Sequence, residues 1–227
     1  MADADAVREA AFRRVLDAAD EAVRERGRFL VVLAGGGTPR GVYRMLRSAD
    51  ADWSKWHVYF GDERCLPPGD PERNSTMAAE AWLEHVAIPP GQVHAIPAEL
   101  GADAAGAAYA KLLQGQAEFD LVLLGLGEDG HTASLFPGHD PGRTPDSPDA
   151  IAVMDAPKPP PQRVSLSAQR LSRTRAALFL VTGEGKRDTV ARWRGGADIP
   201  ARAIVPPGGV DVLVESTLLS DDPGAKT

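Results

Sequence analysis

Apolar positions along the chain follow two periods. From Asp5 to Arg26, the small and apolar residues Val7, Ala11, Val15, Ala18 and Ala22 recur at three and four among charged neighbours, which predicts an amphipathic helix ended by Gly27. The run "FLVVLA" (29–34) is continuously apolar, as in a strand buried on both faces. "GGGTP" then turns the chain, and Pro39 suits a first helical position, so "PRGVYRMLR" (39–47) reads as a helix starting just behind three glycines. The alternation continues with strands at "HVYFGDE" (57–63), "QVHAI" (92–96), "DLVLLGLG" (120–127), "RVSLS" (163–167), "AALFLVTG" (176–183) and "VDVLVE" (210–215). Between them lie helices at "STMAAEAWLEHV" (75–86), capped by Ser75 or Thr76, at "GADAAGAAYAKLLQ" (101–114) and around "KRDTVARW" (186–193). Strands alternating with helices predict an α/β fold with a mostly parallel sheet covered on both faces.

One stretch breaks this rhythm. Residues 137–162 hold eight prolines, including the run 159–161, which excludes helix and central strand. A connection this long in a compact domain is usually functional or disordered, and it reads as an ordered loop near the site. The closing "SDDPGAKT" (220–227) is expected to fray. No repeat or linker divides the 227 residues, which form a single expected domain.

Composition narrows the function. The net charge is −7 with no basic run, against a nucleic-acid or anionic-lipid surface. No apolar run approaches the roughly 18 residues of a membrane span, and the acidic, helical start is unlike a secretory signal. The single cysteine, Cys65, excludes an intramolecular disulfide and fits a reducing compartment, so a cytoplasmic protein is expected.

The chemistry gathers at strand ends. "LGLGEDGHTASLFPG" (124–138) contains a GxGxxG spacing, but only "HTASLF" remains for a helix before Pro137 and Gly138, and no strand ending in an acid follows at about 20 residues, so a dinucleotide turn is disfavoured. The same turn carries Glu128, Asp129 and His131 where open α/β sheets place ligands. "GGGTP" (35–39) lacks the Lys-Ser/Thr of a P-loop, yet its amides can hold an oxyanion. "GDERCLP" (61–67) and "TGEGK" (182–186) bring Asp62, Arg64 and Lys186 to the same edge. Four strand ends delivering glycine, acid or base form a coherent phosphate and acid/base site. There is no GxSxG elbow for a serine nucleophile, and His131 and His139 lack metal-ligand spacing.

"LAGGGTPRGVY", "FGDERCLP" followed by "RNSTM", "LGLGEDGHTASLFPG", "PKPPPQRVSLS" and "VTGEGKR", in this order from about residue 33 to 187, resemble the 6-phosphogluconolactonase family, within the group that includes glucosamine-6-phosphate deaminase. The resemblance implies a Rossmann-like sheet without a nicotinamide site or other cofactor. It implies that His131, in the DGH triplet, is a general base with Asp129 beside it. It also implies that Arg64, Arg163 and Lys186 are candidates for the phosphate of a small-molecule phosphorylated sugar lactone. Gly36, Gly37, Thr38 and Asp62 complete the expected substrate site, and no metal is expected. The ending "VDVLVESTLL", with Glu215, departs from the family's usual ending.

The chemistry is compatible with these residues. An imidazole with an ordinary pKa of about 6.5 can deprotonate water near neutrality, and a carboxylate can hold its tautomer. Amides around Gly36 and Gly37 are available for the tetrahedral oxyanion. Two alternatives differ in class. A sugar-phosphate deaminase–isomerase would carry a further glutamate, which "HTASLFP" lacks. A non-catalytic sugar-phosphate sensor would keep the cations and could dispense with His131 and Asp129. Oligomeric state has no signature in the sequence.

Overall fold

A computed structural model describes residues 1–219; the expectation for 220–227 lies outside the described residues. The first helix, α1 (Ala4–Arg26), starts where the Asp3 carboxylate accepts the Ala6 N–H at 2.8 Å and ends at Gly27, left-handed at φ 74°. It buries Val7, Ala11, Val15, Ala19 and Ala22, so Ala19 rather than the expected Ala18 completes the stripe.

Six parallel strands form the main sheet: β1 (Phe29–Leu33), β2 (Trp56–Phe60), β4 (Val93–His94), β5 (Phe119–Gly125), β8 (Thr174–Val181) and β9 (Val210–Val214). Their spatial order is β4-β2-β1-β5-β8-β9, so the winding reverses between β1 and β5. Such a switch point opens a crevice beyond the carboxyl ends of the two strands. The β1 strand is buried along its whole length, and β5 up to Leu124, which accounts for the apolar runs Phe29–Leu33 and 121–124. The α1 helix packs on α2 (Gly37–Leu46) and lies along β1 and β5.

A second, antiparallel sheet joins β3 (Asp62–Arg64), β7 (Arg163–Leu166) and β6 (Ala150–Val153), with β7 central. This corrects two expectations. "HVYFGDE" is not one strand: Gly61 still donates to Leu33 O at 3.0 Å in the main sheet, while its carbonyl accepts from Leu166 N at 2.8 Å in the second. Just before it, Phe60 N donates to the hydroxyl of Tyr109 on α4 (Ala102–Leu113) at 3.0 Å, and the same hydroxyl donates to Phe60 O at 3.3 Å. One side chain therefore replaces the ladder partner and lets the strand change sheets. The proline-rich stretch, read as loop throughout, contains β6, an edge strand in the proline-free interval between Pro148 and Pro157.

Helix starts also differ. The α2 helix begins at Gly37 behind Gly36 (φ 103°), two residues before Pro39. The α3 helix (Asn74–Ala81) has no cap from Ser75 or Thr76; the buried Glu63 carboxylate accepts its first amides, Asn74 N at 2.7 Å and Ser75 N at 2.8 Å. Two short helices, α5 (Ala168–Ser172) and α6 (Arg187–Arg194), flank β8, and only α6 was expected.

Candidate active site

The end of β1 is released into the site by a tyrosine. Ala34 N donates to the Tyr43 hydroxyl at 2.9 Å, and that hydroxyl donates to Ala34 O at 2.8 Å. With these groups satisfied the chain leaves the sheet as Gly35–Gly36–Gly37. A Cβ on Gly35 would lie 2.1 Å from Asn74 Oδ1, so this glycine admits the Asn74 side chain to the cavity wall.

Beyond β1 and β5, at the switch point, lies a cavity of about 200 Å³. Gly36, Asp62, Arg64, His131, Arg163 and Lys186, delivered by five separate segments, all line it. Gly37 and Thr38 line an adjoining cavity that shares Gly35, Gly36 and Lys186 with the first, and the Thr38 hydroxyl lies 2.6 Å from that of Thr182. Asp129 stands behind His131.

The turn after β5 is built around that pair. Gly127 N donates to His131 O at 2.7 Å, and Gly130, at φ 96°, closes the loop with a bond to Gly127 O at 3.1 Å. Asp129 Oδ1 accepts the His131 amide at 3.1 Å and lies 2.5 Å from ring Nδ1. A Cβ on Gly127 would fall 2.0 Å from His131 Nδ1 and 2.6 Å from Asp129 Oδ1. The central glycine of the GxGxxG spacing thus makes room for an acid–base pair, and no helix follows it. Burial pushes the His131 imidazole below its ordinary value; Asp129 pulls it back, Lys158 pushes it further down and Asp62 again raises it. Burial raises Asp129, but the hydrogen bonds from His131 outweigh this and leave it below the ordinary carboxylate value. The resting pair is neutral imidazole beside carboxylate.

The cations come from opposite sides. Arg64 and Arg163 are directly paired across β3 and β7, a placement that sets like charges side by side. Burial and Arg64 both push the Arg163 guanidinium below its ordinary value. Arg64 donates to Glu72 O, and its buried Nε has no hydrogen-bond partner among the described residues. Lys186 is lowered by burial, with Glu128 opposing the shift. Among the described residues, Arg64, Arg163 and Lys186 form no ion pair with a carboxylate. Also among the described residues, no group of three His, Cys, Asp or Glu side chains is placed to hold a metal ion, and no helix is long and apolar enough to cross a membrane.

The profile of the glucosamine-6-phosphate isomerases/6-phosphogluconolactonase family matches residues 2–213. The chain belongs to this family. It is 41% identical over 220 residues to 6-phosphogluconolactonase of Mycobacterium tuberculosis, covering 89% of each chain. It is 39% identical over 213 residues to that of Streptomyces coelicolor, covering 86% of this chain and 81% of the relative. The crystal structure of 6-phosphogluconolactonase from Thermotoga maritima superposes with a TM-score of 0.87 at 25% identity, over 95% of this chain and 97% of that one.

This member of the isomerase/lactonase family holds its site with residues the motifs did not single out. Asn74 Nδ2 donates to Asp62 Oδ1 at 2.9 Å, and the Ser134 hydroxyl donates to Asp62 Oδ2 at 2.6 Å, so Asp62 is oriented from both sides. Asn74 was visible only as part of "RNSTM", and Ser134 only as part of "HTASLFPG". Glu63, fully buried, also accepts Arg64 N at 2.9 Å. Its neighbours in sequence resemble a solvated charge cluster, and nothing local marks it as the cap of a helix eleven residues on.

Proposed function

We propose that this chain is a cytoplasmic hydrolase that opens 6-phospho-D-glucono-1,5-lactone to 6-phospho-D-gluconate, a step of the oxidative pentose phosphate pathway. The observation that carries the reading is the Asp129–His131 pair opening onto the same cavity as three cations that have no carboxylate partner among the described residues. Asp129 occupies Nδ1, which leaves Nε2 to take a proton from water as the oxygen attacks C1 of the lactone. The tetrahedral oxyanion faces the amide end of the glycine turn at Gly36, where the start of α2 adds partial positive charge. When the C1–O5 bond breaks, the imidazolium returns its proton to the ring oxygen, and the carboxylic acid so formed releases its remaining proton to solvent to give the carboxylate. Arg64, Arg163 and Lys186 are assigned to the phosphate, and the repulsion between the paired arginines is relieved when a dianion lies between cations. The step as written draws on no metal or cofactor.

The isomerase chemistry that shares the family name has less support. Between His131 and Pro137 the chain contributes Thr132, Ala133, Ser134, Leu135 and Phe136, none of which can assist sugar-ring opening as an acid. The assay is hydrolysis of freshly generated 6-phosphogluconolactone, corrected for spontaneous opening, beside unphosphorylated δ-gluconolactone. Strong preference for the phosphorylated lactone is expected. Equal rates on the two would remove the phosphate assignment, and no acceleration of either would remove the function.

A further inference from the structure

The proline tract is fastened to the cavity wall by a residue that also lines it. Arg163 Nη2 donates to Lys158 O at 2.9 Å and to Pro159 O at 3.0 Å, and its Nε donates to Pro160 O at 3.1 Å. Ala156 N bonds Pro161 O at 3.0 Å and closes the base of this loop. The floor beneath is Phe136, fully buried and clustered with Val153 and Ala156. The same ring lies 4.9 Å, centroid to centroid, from His131 and 5.6 Å from the Arg163 guanidinium carbon. The imidazole, the arginine and the loop therefore share one aromatic platform.

Two positions beyond Ala156 stands Lys158, exposed and without an ion pair among the described residues. We propose that Lys158, held beside the cavity-lining Arg163 by its backbone clasp, is a further substrate-binding cation that folds onto the sugar phosphate together with Lys186, with Arg163 as its positioning residue. The proposal rests on the lactonase reading above. Three carbonyl bonds consume Nε and Nη2 of Arg163, so the guanidinium clasps the loop with these donors and meets the phosphate through Nη1 alone, which leaves part of the phosphate for another cation. The clasp sets the Lys158 backbone against Arg163, whose guanidinium shares the Phe136 ring with His131, and the Lys158 charge accordingly pushes both His131 and Lys186 down. Lysine fits this task better than arginine, since an exposed ammonium on a flexible stem can fold onto a phosphate without a fixed fork geometry.

The test compares wild type with K158Q, K158R and R163K on the phosphorylated and unphosphorylated lactones. Removing one charge-assisted hydrogen bond to the phosphate is expected to raise KM for the phosphorylated lactone about tenfold or more in K158Q. Measured well above the His131 limb, the loss in kcat/KM is much larger for the phosphorylated lactone than for δ-gluconolactone, and K158R recovers most of it. R163K keeps the charge but cannot bond three carbonyls, and is expected to lose phosphate preference as K158Q does. Adding K158Q to R163K then costs less than K158Q alone. An unchanged KM in K158Q, or an equal loss on both substrates, would overturn the proposal, as would additive losses in the double variant. If wild type opens neither lactone, the functional reading itself falls, so the two failures are distinguishable. Because Lys158 is exposed, K158Q also tests the idea if R163K does not fold.

Discussion

His131 Nδ1 lies 2.5 Å from Asp129 Oδ1, and the two residues are joined a second time through the His131 amide. A two-residue separation, closed by this pair of hydrogen bonds, presents one nitrogen to the carboxylate and leaves the other for chemistry. Replacing His131 with alanine is expected to lower kcat by about 10²–10⁴-fold, the usual range of a general base. D129N keeps the shape but removes the carboxylate charge and can turn an NH₂ donor toward Nδ1, favouring the wrong tautomer, and a fall of at least about 10²-fold in kcat is expected. The pH profile adds a sign. Because His131 is held below its ordinary value, kcat/KM should rise through an apparent pKa lower than about 6.5. Asp129 raises His131, so D129N moves that limb lower still; Lys158 lowers it, so K158Q moves the limb up. A limb unmoved by both variants would mean that another group is being titrated.

Much of this arrangement was legible in the sequence. Continuous apolar runs and stripes of period 3.6 located the parallel strands and the longer helices, because buried strands must be apolar throughout and helices only on one stripe. The strand-end motifs also named most of the groups that meet in the cavity. What escaped was set by distant partners. The hydroxyl of Tyr109 ends β2 and sends Asp62–Arg64 into a second sheet, although the local sequence continues as a strand. Glu63 caps a helix that begins at Asn74, which made Ser75 and Thr76 look like caps when neither is one. Both interactions span many residues and leave no local periodicity.

Gly127 gives the most direct test of the turn. Its backbone is outside the left-handed region, so alanine introduces no φ strain, but the added methyl would occupy the space of His131 Nδ1. G127A is expected to melt within a few degrees of wild type while displacing the imidazole. A shift of about 1 Å in a catalytic group is enough to cost roughly 10²-fold in turnover. Thermal melts and kinetics measured on the same preparation check this, and an active G127A would show that the pair need not sit where the structure puts it.

Glu63 couples stability to the site. Its buried carboxylate accepts three backbone amides, from Arg64, Asn74 and Ser75, and lies 3.5 Å from the Arg73 guanidinium. In E63Q, one oxygen becomes an NH₂ facing donors, leaving buried groups unmatched. A loss of about 3 kcal/mol in urea unfolding is expected. If the protein remains folded at assay temperature, KM should also rise, since Arg64 and Asn74 line the cavity. A loss confined to KM, with stability intact, would contradict the capping role.

His94 bears on acid stability at the opposite edge of the sheet. Its ring stacks on Tyr59 at 4.4 Å and on His57 at 5.8 Å, and its buried Nε2 has no hydrogen-bond partner among the described residues. Burial lowers His94, and the nearby His57 lowers it further; His57 is itself lowered by burial and by Arg28. In the unfolded chain both rings bind protons near the ordinary value of about 6.5, so between that pH and their folded values the unfolded state carries more protons. Stability is therefore complete above about pH 6.5 and falls as the pH drops toward about 5, before ordinary carboxylates titrate near pH 4. H94F keeps the stack on Tyr59, removes the unpartnered nitrogen and relieves the repulsion on a protonated His57. It should match or exceed wild-type stability near pH 7 and lose less of it between about pH 6.5 and 5, while His131 contributes the same acid loss to both proteins. Urea midpoints across that window decide the matter, and parallel curves for the two proteins would show that His94 carries no proton-linked stability.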